Sequence, residues 1–340
     1  MKFVPLGRTG VLVSRICLGG ANFGGAKAPP YDVLGGLSPD VVGDLVNTAL
    51  EAGVNFIDTS NTYAYDESEE LLGKLLKGRR RDVVLASKVQ NRVGTGPNDV
   101  GQSRIHIVNA LEDSLRRLDT DYLDLYQVHS FDSITPFEES LSALDDVVRQ
   151  GKVRYIGCSN LAAWQVMKAL GVSSQRQLES FVSVQAYYSL AGRDVEHELL
   201  PLIADQGLAL TVWSPLAGGL LSGKFTRHGA SEPDARRTQL DFPPVDTERA
   251  YDIIDVLIEI ARVHEVSAAQ VALAWLLARP EVTSVVVGAR RTPQLVDNLA
   301  AVDLDLQDDE LEALDSISRP PRAYPGWLQD YTNSERWPPP

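Results

Sequence analysis

One pattern runs through nearly the whole chain: a short β-branched or aromatic run, a polar or glycine residue, then a stretch apolar at helical spacing. The eight runs are Arg15–Gly19, Val54–Ile57, Val83–Ser87, Tyr122–Val128, Val153–Gly157, Phe181–Val184, Leu208–Val212 and Thr283–Val287. Runs this apolar are buried on both faces, and alternation with helices makes their sheet parallel. An open doubly wound sheet shows the same alternation as a closed barrel. Position favours the barrel. Polar or glycine residues follow nearly every run at its C-terminal end, the face on which barrels build their sites. The expected fold class is α/β, a (β/α)8 TIM barrel, with residues 1–340 as one domain.

Helix starts are signalled locally. Ser38-Pro39-Asp40 places a cap and a proline at the first turn of a helix reaching about Glu51. Asp66 with Glu69, and Thr135-Pro136 with Glu138, have the spacing of capping boxes. Three stretches lie outside the repeat. Residues 1–14 read as a hairpin turning at Gly7–Gly10. Residues 217–246 are rich in glycine, proline and charge and read as a lid over an active site. The tail, 319–340, holds six prolines and two tryptophans. It reads as neither helix nor central strand, and it is expected to pack on the barrel.

A formal net charge of −14 argues against nucleic acid or an anionic membrane as partner, since both demand a basic face. It leaves room for a local basic pocket. Cys17 and Cys158 sit in apolar runs and read as small buried hydrophobes in a reducing compartment. No apolar run reaches membrane-spanning length, and Met1–Leu6 lacks a signal-peptide core. The expected location is cytoplasmic.

Four residues follow or close strand runs: Asp58, Tyr63, Lys88 and His129. Singly, each has an ordinary reading as turn former, packing surface, solvated cation or core histidine. Together they make an acid. A phenol with a pKa near ~10 is a sluggish donor, and a lysine cation beside it stabilises the phenolate and lowers that value. A carboxylate keeps the lysine charged, and an imidazole can orient a carbonyl. Such a set protonates an oxygen as it gains negative charge, as carbonyl reduction requires.

The same residues carry a family resemblance. Asn55–Tyr63, Ser87-Lys88, Asp124–His129, Ile156–Asn160, Trp213–Leu216 and Gly288–Arg291 resemble, in order and spacing, the aldo-keto reductase superfamily. The resemblance implies reduction of an aldehyde or ketone by hydride from NADPH, with Tyr63 as general acid tuned by Lys88 and Asp58 and His129 orienting the carbonyl. It implies that Ser159, Asn160 and Gln185 bond the nicotinamide carboxamide and that Trp213 stacks on the ring. Asp58, Ser214 and Pro215 count with these cofactor contacts. Gly19, Gly20 and Ala21 match the first-strand loop that lets the cofactor approach the backbone. Leu216, Ser222 and Lys224 lie along the pyrophosphate. Gly288, Arg290, Gln294 and Asn298 match the adenosine end, where Arg290 would grip a 2′-phosphate. Gln294 and Asp297 stand where many members carry arginine and glutamate, a departure that suits the bacterial branches.

Other readings are weaker. Gly218–Lys224 fits seven positions of a Walker A loop, but Phe225 stands where Ser or Thr must bind magnesium. The five histidines (His106, His129, His197, His228 and His264) show no paired ligand spacing, so no metal is expected. The alternative function is a cofactor-binding regulatory subunit, since potassium-channel β-subunits resemble reductases. The substrate, a small carbonyl compound, is contacted by variable loops in which Tyr31, Trp164, Trp327 and Trp337 could form apolar walls.

Overall fold

The computed structural model describes residues 1–340 apart from 27, 28, 228, 231–235 and 335–340. A hairpin comes first, β1 (Phe3–Pro5) against β2 (Leu12–Ser14). Seven barrel strands follow: β3 (Ile16–Gly19), β4 (Phe56–Asp58), β5 (Val84–Val89), β6 (Leu123–Val128), β7 (Val153–Ser159), β8 (Phe181–Tyr187) and β9 (Ala209–Trp213). A ribbon of β10 (Phe225–Thr226) and β11 (Gly229–Ala230) lies in the long loop, before β12 (Val282–Val287). β12 pairs in parallel with both β9 and β3, and this closes the eight-stranded barrel. An open sheet leaves both its outer strands unpaired, so this pairing decides between the two α/β readings.

Helices α1 (Tyr31–Leu34) and α2 (Pro39–Glu51) follow β3. One helix follows each of the next five strands: α3 (Glu67–Leu75), α4 (Arg104–Arg117), α5 (Phe137–Arg149), α6 (Ala163–Arg176) and α7 (Leu199–Gln206). α8 (Arg236–Gln239), α9 (Thr247–His264) and α10 (Ala268–Leu277) occupy the passage from β9 to β12. α11 (Thr292–Ala300), α12 (Asp308–Ser318) and α13 (Gly326–Ser334) end the described chain. Among the described residues no helix is long and apolar enough to cross a membrane.

Two apolar layers hold the barrel. The larger lies between strands and helices, where Leu45, Leu72, Ile107, Leu144 and Trp275 are fully buried. The smaller fills the bottom of the barrel: Leu6 and Val13 from the hairpin region meet Cys17, Phe56, Ala86, Leu125 and Ala209. Asn55 pins that plug, since its Oδ1 accepts from Ser14 N at 2.7 Å and its Nδ2 donates to Leu12 O at 2.9 Å. Burying a side chain the size of Phe56 is worth about 1.5–3 kcal/mol.

Three local expectations are corrected. Asp66 is left-handed (φ 81°) and makes no side-chain cap, and Glu69 is fully buried rather than turned back on the helix start. Pro136, not Thr135, precedes α5, and Thr135 Oγ1 instead donates to Asp132 Oδ2 at 2.7 Å. The tail does form a helix: no proline falls within Gly326–Ser334, so α13 starts just after Pro325. No residue of α13 is buried, and Trp327 is 54% exposed, while the tail's first residue, Arg319, accepts from Arg249 Nη2 through its carbonyl. Trp337 lies outside the described residues. Ser38 does cap α2, accepting from Val41 N.

Candidate active site

Side chains alternate along a strand, so residues two apart share a face. Phe56, Ala86 and Leu125 fill the barrel floor. Asp58, Lys88 and Gln127, each two residues further on, therefore form the next layer toward the C-terminal mouth. Register sets Lys88 beside Gln127 but Asp58 beside Ala86, so the aspartate starts one step lower on its strand and Lys88 reaches across to it. Lys88 Nζ donates to Asp58 Oδ2 at 2.5 Å, to Thr59 O at 2.9 Å and to Tyr63 Oη at 3.2 Å. Asp58 Oδ1 accepts from Gln185 Nε2 at 2.9 Å and from Gln127 Nε2 at 3.2 Å. Lys88 is wholly inaccessible to solvent. A buried ion pair is tolerable only when its remaining hydrogen-bonding sites are filled, as they are here.

His129 completes the group from the end of β6. Its ring lies 5.8 Å from that of Tyr63, edge on. Asn91 Nδ2 stands 3.2 Å and Ser60 Oγ 3.3 Å from His129 Nδ1. An amide nitrogen only donates, so Nδ1 accepts and the imidazole proton resides on Nε2. Burial, with Lys88 adding to it, lowers the His129 pKa to about 3. The ring is neutral at physiological pH.

The phenol departs from expectation. Burial raises the Tyr63 pKa, Lys88 lowers it and Asp58 raises it again, and the net shift is upward. The lysine moderates the burial effect without overcoming it. For Lys88 itself, burial works to lower the ammonium, while Asp58 and Tyr63 together push it above its ordinary value.

Beside this layer, Ser159 and Gln185 are paired across β7 and β8, and both are buried. Asn160, left-handed at φ 54°, donates to Ser159 Oγ at 3.0 Å and to His129 O at 2.9 Å. Its Oδ1 accepts from Trp213 Nε1 at 3.0 Å. Trp213 stacks on Phe242 of the long loop (5.8 Å, 8°) and touches Tyr187 (5.1 Å). Ser214 (φ 51°) accepts from Gly218 N at 3.0 Å, Pro215 is buried, and Leu216 is partly buried behind it. The Walker-like stretch forms a 3-10 turn, Ala217–Ser222, in which Ser222 Oγ donates to Gly219 O at 2.7 Å. It runs through Lys224 into β10, not into the helix that a phosphate loop opens.

The glycines of the first strand have a structural cause. A Cβ at Gly19 would come within 2.8 Å of Val286 Cγ1, and one at Gly20 within 2.8 Å of Ser68 Oγ. A Cβ at either position would force the neighbouring side chain to shift; Ala21 is exposed. Across the barrel seam, Asn22 Nδ2 donates to Ala289 O at 2.6 Å, while its buried Oδ1 has no partner among the described residues, and Gly288 faces it. Gln294 Oε1 accepts from Arg290 N at 3.1 Å, and Arg290 Nη2 donates to Val33 O at 2.6 Å. Asn298 is buried on α11. Burial and the neighbouring charges of Arg290 and Arg237 lower the pKa of Arg236.

Several supporting residues escape a reading by motif. Gln127 was within reach, since it lies two residues beyond Leu125 on the inward face. Glu69 was not: its Oε1 accepts from Ser87 Oγ at 2.5 Å, and Arg117 Nη2 lies 2.7 Å from its Oε2. That network holds the strand residue next to Lys88 from outside the barrel. Among the described residues no three His, Cys, Asp or Glu side chains could together hold a metal ion.

Comparison with known proteins identifies relatives along nearly the whole chain. The chain is 39% identical over 329 residues to the uncharacterized oxidoreductase YrpG of Bacillus subtilis (strain 168), covering 93% of this chain and 96% of that one. It is 36% identical to a probable voltage-gated potassium channel subunit beta of Oryza sativa subsp. japonica, over 89% of this chain and 92% of that one. It is 32% identical to the versiconal hemiacetal acetate reductase of Aspergillus parasiticus, over 96% and 99%. The profile of the aldo/keto reductase family matches residues 15–319. The closed barrel is consistent with this match, and the chain belongs to the aldo/keto reductase family.

Proposed function

We propose that the protein reduces an aldehyde or ketone to the alcohol with NADPH, and that Tyr63 supplies the proton. The observation that carries this reading is the Lys88 ammonium, which bonds both Asp58 and the Tyr63 phenol inside the barrel. NADPH, when bound, supplies a hydride from nicotinamide C4. As the carbonyl oxygen gains charge, Tyr63 gives it the Oη proton and Lys88 stabilises the phenolate left behind. Burial raises the Tyr63 pKa, so the phenol keeps its proton until the carbonyl oxygen gains charge. His129, neutral with its proton on Nε2, donates to the same oxygen and fixes its direction.

The residues present fit the cofactor. Ser159, Asn160 and Gln185 offer the donors and acceptors that a carboxamide needs, and Trp213 offers a ring face. Gln185 also bonds Asp58, so cofactor and proton relay share one side chain. At the far end, Arg236 feels the Arg290 charge, and a dianionic phosphate would relieve two guanidinium groups held so near each other. The unpartnered Asn22 Oδ1 beside Gly288 suits a donor such as a ribose hydroxyl or an adenine amine. Leu216, Ser222 and Lys224 are assigned to the pyrophosphate side, under the 217–246 lid.

The names of the relatives point both ways: two are an oxidoreductase and a reductase, and one is a channel subunit. The complete Asp58, Tyr63, Lys88 and His129 set favours turnover over a regulatory role. The test is NADPH consumption with formation of the alcohol across aryl aldehydes, methylglyoxal, sugars and pyridoxal. NADPH binding without turnover on any of these, with a partner protein that co-purifies, would move the reading to the regulatory subunit.

A further inference from the structure

The turn that carries Tyr63 holds a run of unfavourable backbone conformations. Ala64, Tyr65 and Asp66 are consecutive and non-glycine, and all are left-handed, at φ 53°, 51° and 81°. Side-chain sterics disfavour this conformation at every such residue, so it persists only where surrounding contacts impose it. Besides the turn's own bonds, Tyr65 N to Thr62 O and Glu67 N to Ala64 O (both 3.3 Å), contacts come from the segment between β3 and α2. Tyr31 Oη donates to Thr62 O at 2.6 Å, one residue before Tyr63. Tyr65 Oη donates in return to Pro29 O at 2.6 Å, two residues before Tyr31. The two rings meet edge to face at 5.3 Å. Gly25 N donates to Glu67 Oε2 at 2.6 Å and closes the same loop against the start of α3.

The geometry points to Tyr31 and Tyr65 as positioning residues, a reciprocal latch that holds the Tyr63 phenol on Lys88. Each phenol bonds a backbone carbonyl of the segment that carries the other, so the strained turn is gripped on both sides of Tyr63. The latch continues across the molecule. Two residues after Tyr31, Val33 O accepts from Arg290, so one short loop touches both the proton donor's turn and the strand end assigned to the adenosine phosphate. This inference rests on Tyr63 being the proton donor.

The test uses the full chain with NADPH and para-nitrobenzaldehyde as the carbonyl probe. Variants are Tyr31→Phe, Tyr65→Phe and the pair, in the wild-type and Tyr63→Phe backgrounds. Each single change removes one hydrogen bond and keeps its ring, so the singles serve if the pair does not fold. The pair should lower kcat about tenfold while KM and the NADPH Kd stay within about twofold. Water admitted to the loosened phenol relieves the burial that raises its pKa, so the alkaline limb of the kcat profile should move to lower pH. In the Tyr63→Phe background the pair should cost nothing further. A fall in melting temperature with kcat and the alkaline limb unchanged would reduce the latch to a structural contact and overturn it. An equal loss in both backgrounds would overturn it as well. A Tyr63→Phe enzyme with wild-type kcat would instead remove the proton-donor reading itself.

Discussion

The Lys88 ammonium lies 3.2 Å from the Tyr63 phenol oxygen, yet burial still holds that phenol above its ordinary range. On the proposed reading, the lysine serves less to ionise Tyr63 in the resting protein than to stabilise the phenolate once the proton has gone. Tyr63→Phe keeps the ring and removes only the proton. Carbonyl reduction should fall by at least about a thousandfold, with the NADPH Kd from fluorescence titration little changed. A variant that reduces aldehydes at the normal rate would take Tyr63 out of the reaction.

His129 links the site to stability at acid pH. Unfolded, its imidazole titrates near ~6.5; folded, at about 3. Between those values the unfolded chain binds the extra proton, so stability rises with pH across the window and is lost on acidification through it. The slope should reach at most about 1.4 kcal/mol per pH unit, less what partial exposure of the ring screens. Urea midpoints from pH 4 to 7 should show a shallower slope for His129→Gln. Identical slopes would mean that other groups govern the acid limb.

Glu69 is the buried anion that answers Arg117, and burial raises its pKa while Arg117 and Ser87 pull it back. Glu69→Ala leaves the Arg117 guanidinium, itself mostly buried, without that partner. The expected cost is about 3–5 kcal/mol, read as a lower urea midpoint. Removing both partners, as Glu69→Leu with Arg117→Met, should recover much of it. A single variant as stable as wild type would show that Asp66, whose Oδ2 lies 3.6 Å from Arg117 Nη1, satisfies Arg117 by itself.

Arg290→Ala and Arg236→Ala should each weaken NADPH about tenfold or more and barely touch NADH, because only NADPH carries the 2′-phosphate. Isothermal titration with both cofactors checks this. Equal losses would place the two guanidinium groups elsewhere on the cofactor.

The long loop reaches the site through Phe242, which stacks on Trp213. Shortening it between Gly229 and Arg237, a stretch that includes undescribed residues 231–235, should speed NADP+ release in stopped-flow fluorescence. An unchanged release rate would deny the loop a gating role.

Much of this protein was legible in its residues alone. Strand runs and helical spacing are local, so the β/α alternation, the Ser38 cap and the hairpin at Gly7–Gly10 follow from neighbours in the chain. Alternation also places Asp58, Lys88 and Gln127 on one face, because the period of a strand is two. Other outcomes depended on what burial and distant partners do to a group. Only packing shows that Glu69 faces Arg117 rather than its own helix start, or that a side chain at Gly19 or Gly20 would press on Val286 or Ser68. Only closure of β12 onto β3 turns the alternation into a barrel. The direction of the Tyr63 shift likewise belongs to the tertiary structure, because desolvation is set by everything around a side chain and charge pairing by only a few of its neighbours.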